Sequence, residues 1–106
     1  MALDLRGVNA FPYFDTATTD GSSNDLTEIQ LPDAAVKVSL MFVTNAGKIS
    51  HTGTDGAAIG ADFAEIPADQ YMEINRRGRD KQRAIDSLFI TSATGSTTFY
   101  IVLEGA

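Results

Sequence analysis

The sequence contains no cysteine and a single histidine, His51. The absence of cysteine excludes a disulfide framework and a thiolate metal site. One imidazole excludes a two-histidine metalloprotease motif and a His-rich zinc site within one chain. No apolar run approaches the roughly 18–20 residues that a membrane helix needs, and the first residues lack a positive region followed by an apolar stretch. We therefore expect no cofactor, no membrane partner and no signal peptide.

The chain is also poor in positive charge. Its 106 residues carry 14 acidic and 8 basic side chains, which gives a formal charge of −6. This balance disfavours general binding to polyanions, so it disfavours nucleic acid as a partner. Hydrophobic residues make up 43% of the chain, which is enough to form one folded domain around one core.

Alternation with a period of two, typical of β-strands, dominates the rest of the sequence. In AAVKVSLMFVTNAG, one predicted strand face holds Val36, Val38, Leu40 and Phe42, and the run ends at an Asn-Ala-Gly turn signal. We count about seven such strands separated by short turns. The sequence therefore predicts an all-β fold, a single small β-sandwich or jelly-roll-like barrel.

The last two strands surround the short connection 93–96. Phe99, Ile101 and Leu103 form one face of the final strand, with Tyr100 and Val102 on the other. The short glycine-containing connection predicts a hairpin. Apolar residues on both sides of the final strand predict a central position with both faces covered.

The N-terminal part has a different composition. Residues 1–15 are predicted to form an N-terminal arm or an edge strand, and the small, polar residues 16–25 are predicted to form a loop. Residues 26–106 would then be the β-sandwich domain.

Candidate catalytic motifs are weak. Ser50, His51 and Asp55 lie close in sequence, but neighbours in a strand point to opposite faces, so a Ser–His pair is not expected. The glycines of GTDGAAIG at 53–60 lack the Lys-Ser/Thr and the helix of a phosphate-binding loop. A calcium loop lacks its spaced acidic ligands, and nothing in the carboxylate spacing indicates a glycosidase pair. We expect no enzymatic activity.

A basic stretch, RRGRDKQR, runs from residue 76 to residue 83. It is interpreted in three ways: a solvated loop, a contact with an acidic protein surface, or a nucleic-acid contact. Arginine suits the second, because its planar guanidinium pairs with carboxylates bidentately. Under that hypothesis the chain pairs with an acidic neighbouring copy or host surface, and charge reversal at the first two arginines weakens assembly. The predicted interface residues here are Arg76, Arg77, Arg79, Lys81 and Arg83.

Three stretches resemble the small β-sandwich virion proteins of tailed bacteriophages. They are LMFVTNAGK, GTDGAAIGADFAEIPADQYMEI and IDSLFITSATGSTTFYIVLEG, which cover roughly the last two-thirds of the chain. The resemblance implies a non-enzymatic structural role on the capsid or the tail, often as trimers or larger symmetric sets.

The main prediction is a capsid decoration or cement protein, located in the virion and bound to the major capsid protein or another virion protein. It is expected to be a homo-oligomer, such as a trimer. Phe11, Tyr13 and Phe14 would be apolar anchors beside the basic stretch, with simple core packing as their alternative. A tail- or fibre-associated module that binds a protein or a glycan is the first alternative function, and a nucleic-acid-binding protein using the arginine stretch is the second.

Overall fold

A computed structural model describes residues 2–76 and 86–105, and within them the chain forms strands and connections only. The described residues contain no helix long and apolar enough to cross a membrane. The strands are β1 (Leu3–Asp4), β2 (Tyr13–Thr18), β3 (Thr27–Gln30), β4 (Ala35–Phe42), β5 (Gly47–Ser50), β6 (Ala64–Ile66), β7 (Tyr71–Asn75), β8 (Ser87–Thr91) and β9 (Thr98–Gly105).

Two sheets pack face to face. One has five strands in the order β1-β3-β8-β5-β6, and the other has four strands in the order β2-β9-β4-β7. The prediction of an all-β sandwich is confirmed. The described residues form nine strands rather than seven, because β1 and β6 are short additions of two and three residues at the sheet edges.

The core lies between the two sheets and is built by the predicted alternation. In β4, the side chains of Val38, Leu40 and Phe42 are fully buried, whereas Val36 falls at a bulge beside Ala35 and is only half-buried. The four-stranded sheet also contributes Phe99, Ile101 and Leu103 of β9 to the core. The five-stranded sheet packs against them with Ile29 of β3, Ile49 of β5, and Leu88 and Ile90 of β8.

The predicted hairpin between the last two strands is wrong. β8 pairs with β3 and β5, whereas β9 pairs with β2 and β4, so the connection crosses from one sheet to the other. The crossing is held by a chain of buried hydroxyl groups. Thr97 Oγ1 donates to Ser92 Oγ at 3.0 Å, and Ser92 Oγ donates to the Ala46 carbonyl at 2.9 Å. A short connection with glycine serves a crossing as well as a hairpin.

The N-terminal segment forms an edge strand in each sheet. β1 pairs in parallel with β3, and β2 pairs along its whole length with β9. The strand β2 continues to Thr18, so the predicted loop 16–25 begins three residues too early. Thr19 is also buried, and its N–H donates to the Thr97 carbonyl at 2.9 Å. Threonines suit a strand edge because their branched side chains fit a pleated surface.

Candidate binding surface on the four-stranded sheet

The outer surface of the four-stranded sheet carries a row of aromatic side chains. Strand register places Tyr100 of β9 next to Met41 of β4, and Met41 next to Tyr71 of β7. One step along the strands, Phe14 of β2 pairs with Val102 of β9. Because side chains alternate across a strand, these residues all point away from the core. We call Phe14, Met41, Tyr71, Tyr100 and Val102 the aromatic face.

The aromatic face is open to solvent. The exposed fractions are 69% for Phe14, 55% for Tyr71 and 38% for Tyr100, and these three are among four large exposed hydrophobic residues in the described chain. Phe14, Tyr71 and Tyr100 line one shallow depression of about 330 Å³. A contiguous exposed apolar patch on a folded domain marks an interaction surface more often than isolated exposed residues do.

Charged groups close one end of this surface. Lys37 Nζ lies 3.2 Å from Glu104 Oε2 and 3.8 Å from Glu73 Oε1. The hydrogen bond to Glu104, followed by the charges of Glu104 and Glu73, raises the pKa of Lys37. These exposed pairs contribute little to stability. The register places Glu73 in one row with Ser39 and Val102, so its carboxylate borders the aromatic face.

Of the three predicted aromatic anchors, one lies on this surface. Phe14 is exposed, whereas Phe11 and Tyr13 are half-buried and pack against the core. The Tyr13 hydroxyl donates to Asp15 Oδ2 at 3.0 Å, and burial, followed by this contact, raises the pKa of Tyr13. Phe11 and Tyr13 therefore have the packing role that was their alternative interpretation.

Arg76 has a structural role that the sequence did not suggest. It is only 5% exposed, and its Nη1 donates to the carbonyls of Pro32 and Ala35, each at 2.6 Å. Burial lowers the pKa of Arg76, while the charges of Asp86 and Asp33 oppose that shift. A guanidinium held in this way is not available as a surface contact. The other predicted residues of the basic stretch, Arg77, Arg79, Lys81 and Arg83, lie outside the described residues.

In the described part of the chain, two of the candidate catalytic residues make hydrogen bonds to nearby backbone groups. The Ser50 hydroxyl donates to the Thr52 carbonyl at 2.9 Å, and Asp55 Oδ1 accepts the Glu28 N–H at 2.9 Å. His51 is exposed at the end of β5. Within residues 2–76 and 86–105, no group of three or more histidine or acidic side chains is placed to hold a metal ion.

For two residues of the aromatic face, the sequence predicted the orientation of the side chain correctly and its exposure wrongly. The alternation correctly placed Tyr100 and Val102 opposite the inward-facing residues of β9. The prediction that both faces of this strand are covered was wrong, because the outer face of its sheet has no layer over it among the described residues and Tyr100 remains 38% exposed. Tyr71 gave a weaker signal, since its strand follows a proline-containing turn and has no long alternating run.

Fold and surface together define a small all-β sandwich with an exposed aromatic sheet face. Comparisons with protein-family models, with curated proteins and with solved structures found no match. The surface is therefore interpreted from its own geometry and chemistry.

Proposed function

We propose that the protein is a non-enzymatic structural protein that binds another protein through the aromatic face, as a capsid decoration or cement protein of a bacteriophage virion. The observation that carries the binding role is the exposure of Phe14, Tyr71 and Tyr100 on one surface. Tyrosine, phenylalanine and methionine are enriched in protein interfaces, whereas charged residues are depleted from interface centres. The aromatic face has this composition, with Glu73 and the Lys37–Glu104 pair at its border.

The size of the surface supports repeated weak contacts. Strands lie about 4.8 Å apart, so four strands of about five residues present roughly 300 Å² in projection. A stable interface between two proteins buries about 800 Å² per partner. One aromatic face therefore gives a weak contact alone, whereas copies joined in one oligomer bind a shell together and gain stability from multivalency. This arrangement is what a cement protein needs.

The assignment to a virion, with the major capsid protein as partner, rests on the resemblance of three stretches to phage virion proteins. The final stretch, IDSLFITSATGSTTFYIVLEG, contains both Tyr100 and Val102 of the aromatic face. The resemblance and the exposed surface thus involve the same strand, β9.

Cosedimentation with phage capsids from the same source tests this proposal. We expect Tyr71→Ser to weaken capsid binding by about tenfold or more, because truncating a central interface aromatic typically costs about 2 kcal/mol. Phe63→Ser is the matched control, because Phe63 is 40% exposed but lies outside the aromatic face. Its ring lies under the Lys48 ammonium group, with 5.0 Å between Lys48 Nζ and the ring centre. Equal binding by both variants, or no binding by the unmodified protein, contradicts the proposal.

A glycan-binding module of the phage tail is the second candidate function, and the same surface favours it. Exposed aromatic rings stack on the apolar faces of sugars, and Thr16 and Glu73 place a hydroxyl and a carboxylate beside the rings. Binding to an array of bacterial surface glycans that is lost in Tyr71→Ser, without capsid binding, would select this function. The two candidate functions are distinguished by whether the unmodified protein binds the capsids or the glycan array.

A further inference from the structure

The strand β2 forms one free edge of the four-stranded sheet. Each sheet ends in two edge strands, and among the described residues β2 is the longest of the four, with six residues against five in β7, three in β6 and two in β1. An exposed edge presents unpaired N–H and C=O groups that can pair with a strand from another chain.

The backbone groups that face outward can be identified from the register. Thr19 N–H donates to the Thr97 carbonyl, which continues the β2–β9 register by one step. Since partners alternate along an antiparallel pair, Asp15 and Ala17 also bond to β9, and Phe14, Thr16 and Thr18 turn their N–H and C=O groups outward. A second contact agrees with this assignment, because the Thr16 N–H donates to Asp15 Oδ1 at 2.8 Å instead of to β9.

The edge strand β2 has one charged residue, Asp15, and lacks the other usual protections of an edge. Natural edges carry charged side chains, lysine above all, or proline or a bulge, which prevent pairing with another chain. The sequence YFDTAT contains neither lysine nor proline, and its register with β9 is regular over all six residues. Among the described residues, the Asp15 carboxylate accepts the Thr16 N–H at 2.8 Å and the Tyr13 hydroxyl at 3.0 Å, so pairing at Thr16 requires this carboxylate to release the N–H. The edge also adjoins an open depression of about 570 Å³ that extends past Ala17 to Leu3 of β1.

We infer that β2 pairs antiparallel with β2 of a second copy, around a twofold axis at Thr16. In this register Thr16 faces Thr16 of the second copy and Phe14 faces Thr18. The three outward-facing residues of each strand exchange about six backbone hydrogen bonds. Aromatic and β-branched side chains directly opposite each other stabilise such a pair. The pairing joins two four-stranded sheets and makes the two aromatic faces continuous.

The charge distribution gives this association a characteristic salt dependence. Each copy carries a formal charge of −6, so two copies repel at long range. The one charged side chain of β2, Asp15, faces Ala17 of the second copy in this register, so the contact contains no ion pair. Added salt screens the repulsion without breaking a contact, and dimerisation therefore becomes stronger as salt rises. The inference does not require that the aromatic face binds a capsid, because strand pairing uses the backbone in the plane of the sheet.

Analytical ultracentrifugation over a range of protein and salt concentrations tests the inference, with Thr16→Pro as the decisive variant. Proline removes an outward N–H and leaves every β2–β9 hydrogen bond in place, and it is tolerated where an edge N–H faces solvent. We expect the unmodified protein to form dimers and Thr16→Pro to raise the dimer dissociation constant by about tenfold or more. Thr16→Val, which keeps the N–H and the branched shape, is the matched control and should still dimerise.

Amide hydrogen exchange keeps the test decisive if Thr16→Pro folds poorly. In the unmodified protein, the N–H groups of Phe14 and Thr18 should exchange more slowly as protein concentration rises, whereas those of Asp15 and Ala17 should be protected at every concentration. A monomer at roughly 1 mM in high salt overturns the inference. So does a closed trimer, or a dimer that Thr16→Pro leaves unchanged.

Discussion

Removing the Arg76 side chain should destabilise the fold more than removing the exposed Arg6 side chain. Arg76 is 5% exposed and donates from Nη1 to the carbonyls of Pro32 and Ala35, which lie just before and at the start of β4. Its backbone N–H also donates to the Val36 carbonyl at 2.7 Å, so the residue fixes the end of β7 against the bulge in β4. In Arg76→Ala the backbone contact remains, but two buried carbonyls lose their side-chain donor.

The magnitude follows from these contacts. A hydrogen bond from a charged donor is worth about 1.5–3 kcal/mol, which gives about 3–6 kcal/mol for the pair. Burial of the guanidinium costs free energy, which also lowers the pKa of Arg76. Removing the side chain recovers this cost, so the net loss of stability is smaller than the hydrogen bonds alone would give. We expect a loss of about 3 kcal/mol in the free energy of unfolding, within the range seen when one partner of a buried charged contact is removed.

Urea denaturation followed by circular dichroism measures this loss. With a slope near 1.5 kcal/mol per molar urea for a domain of this size, the midpoint should fall by about 2 M. Arg6→Ala is the control: Arg6 is exposed and pairs with exposed Asp4 at 2.9 Å, so its removal should barely move the midpoint. If the two variants lose similar stability, the reasoning from burial and hydrogen bonding at Arg76 is refuted.

Two further outcomes test the packing and the electrostatics. Gly47→Ala should lower stability by about 1–3 kcal/mol in the same urea assay, because the added methyl group would meet the buried ring of Phe42; an unchanged midpoint would show that the ring moves aside freely. The Asp4 carboxyl should titrate with a pKa of about 2 by NMR, chiefly because Arg6 hydrogen-bonds to it. The stabilising contact between Asp4 and Arg6 is complete at pH values above 3.8, which is the ordinary pKa of the carboxyl group. It is lost as the pH falls through about 2. In Arg6→Ala the pKa of Asp4 should return toward 3.8, and a pKa that stays near 2 would contradict the assignment of the shift to Arg6.

The fold class was predictable because burial imposes a period of two on each strand. Val38, Leu40 and Phe42 alternate with Lys37, Ser39 and Met41, and a period of two places the first three on one face of a sheet that packs on a core. Which strands pair was not predictable in the same way. The residues of β8 and β9 fit either a hairpin or a crossing, and the choice depends on contacts such as Ser92 with Ala46, which are 46 residues apart.

The candidate surface illustrates a second limit of sequence reasoning. Alternation shows that Tyr100 and Phe99 point to opposite sides, but it does not show whether another layer covers the second side. Arg76 was misjudged for a related reason, since its charge and basic neighbours indicated solvent exposure. Its burial depends on carbonyl groups of Pro32 and Ala35, more than 40 residues away in sequence. Exposure is a property of the assembled sheets and not of a local pattern.

The two modes of self-association considered for this chain respond to salt in opposite directions. Contacts between arginines and an acidic neighbouring copy are ionic, so they weaken as salt screens them. Pairing of β2 edges brings together two copies of charge −6 without an ion pair, so it strengthens under the same change. Arg76 is already engaged inside the fold, which removes one of the arginines that the ionic mode would use. The sign of the salt dependence therefore decides between the two modes before any variant is made, and Thr16→Pro then tests the edge itself.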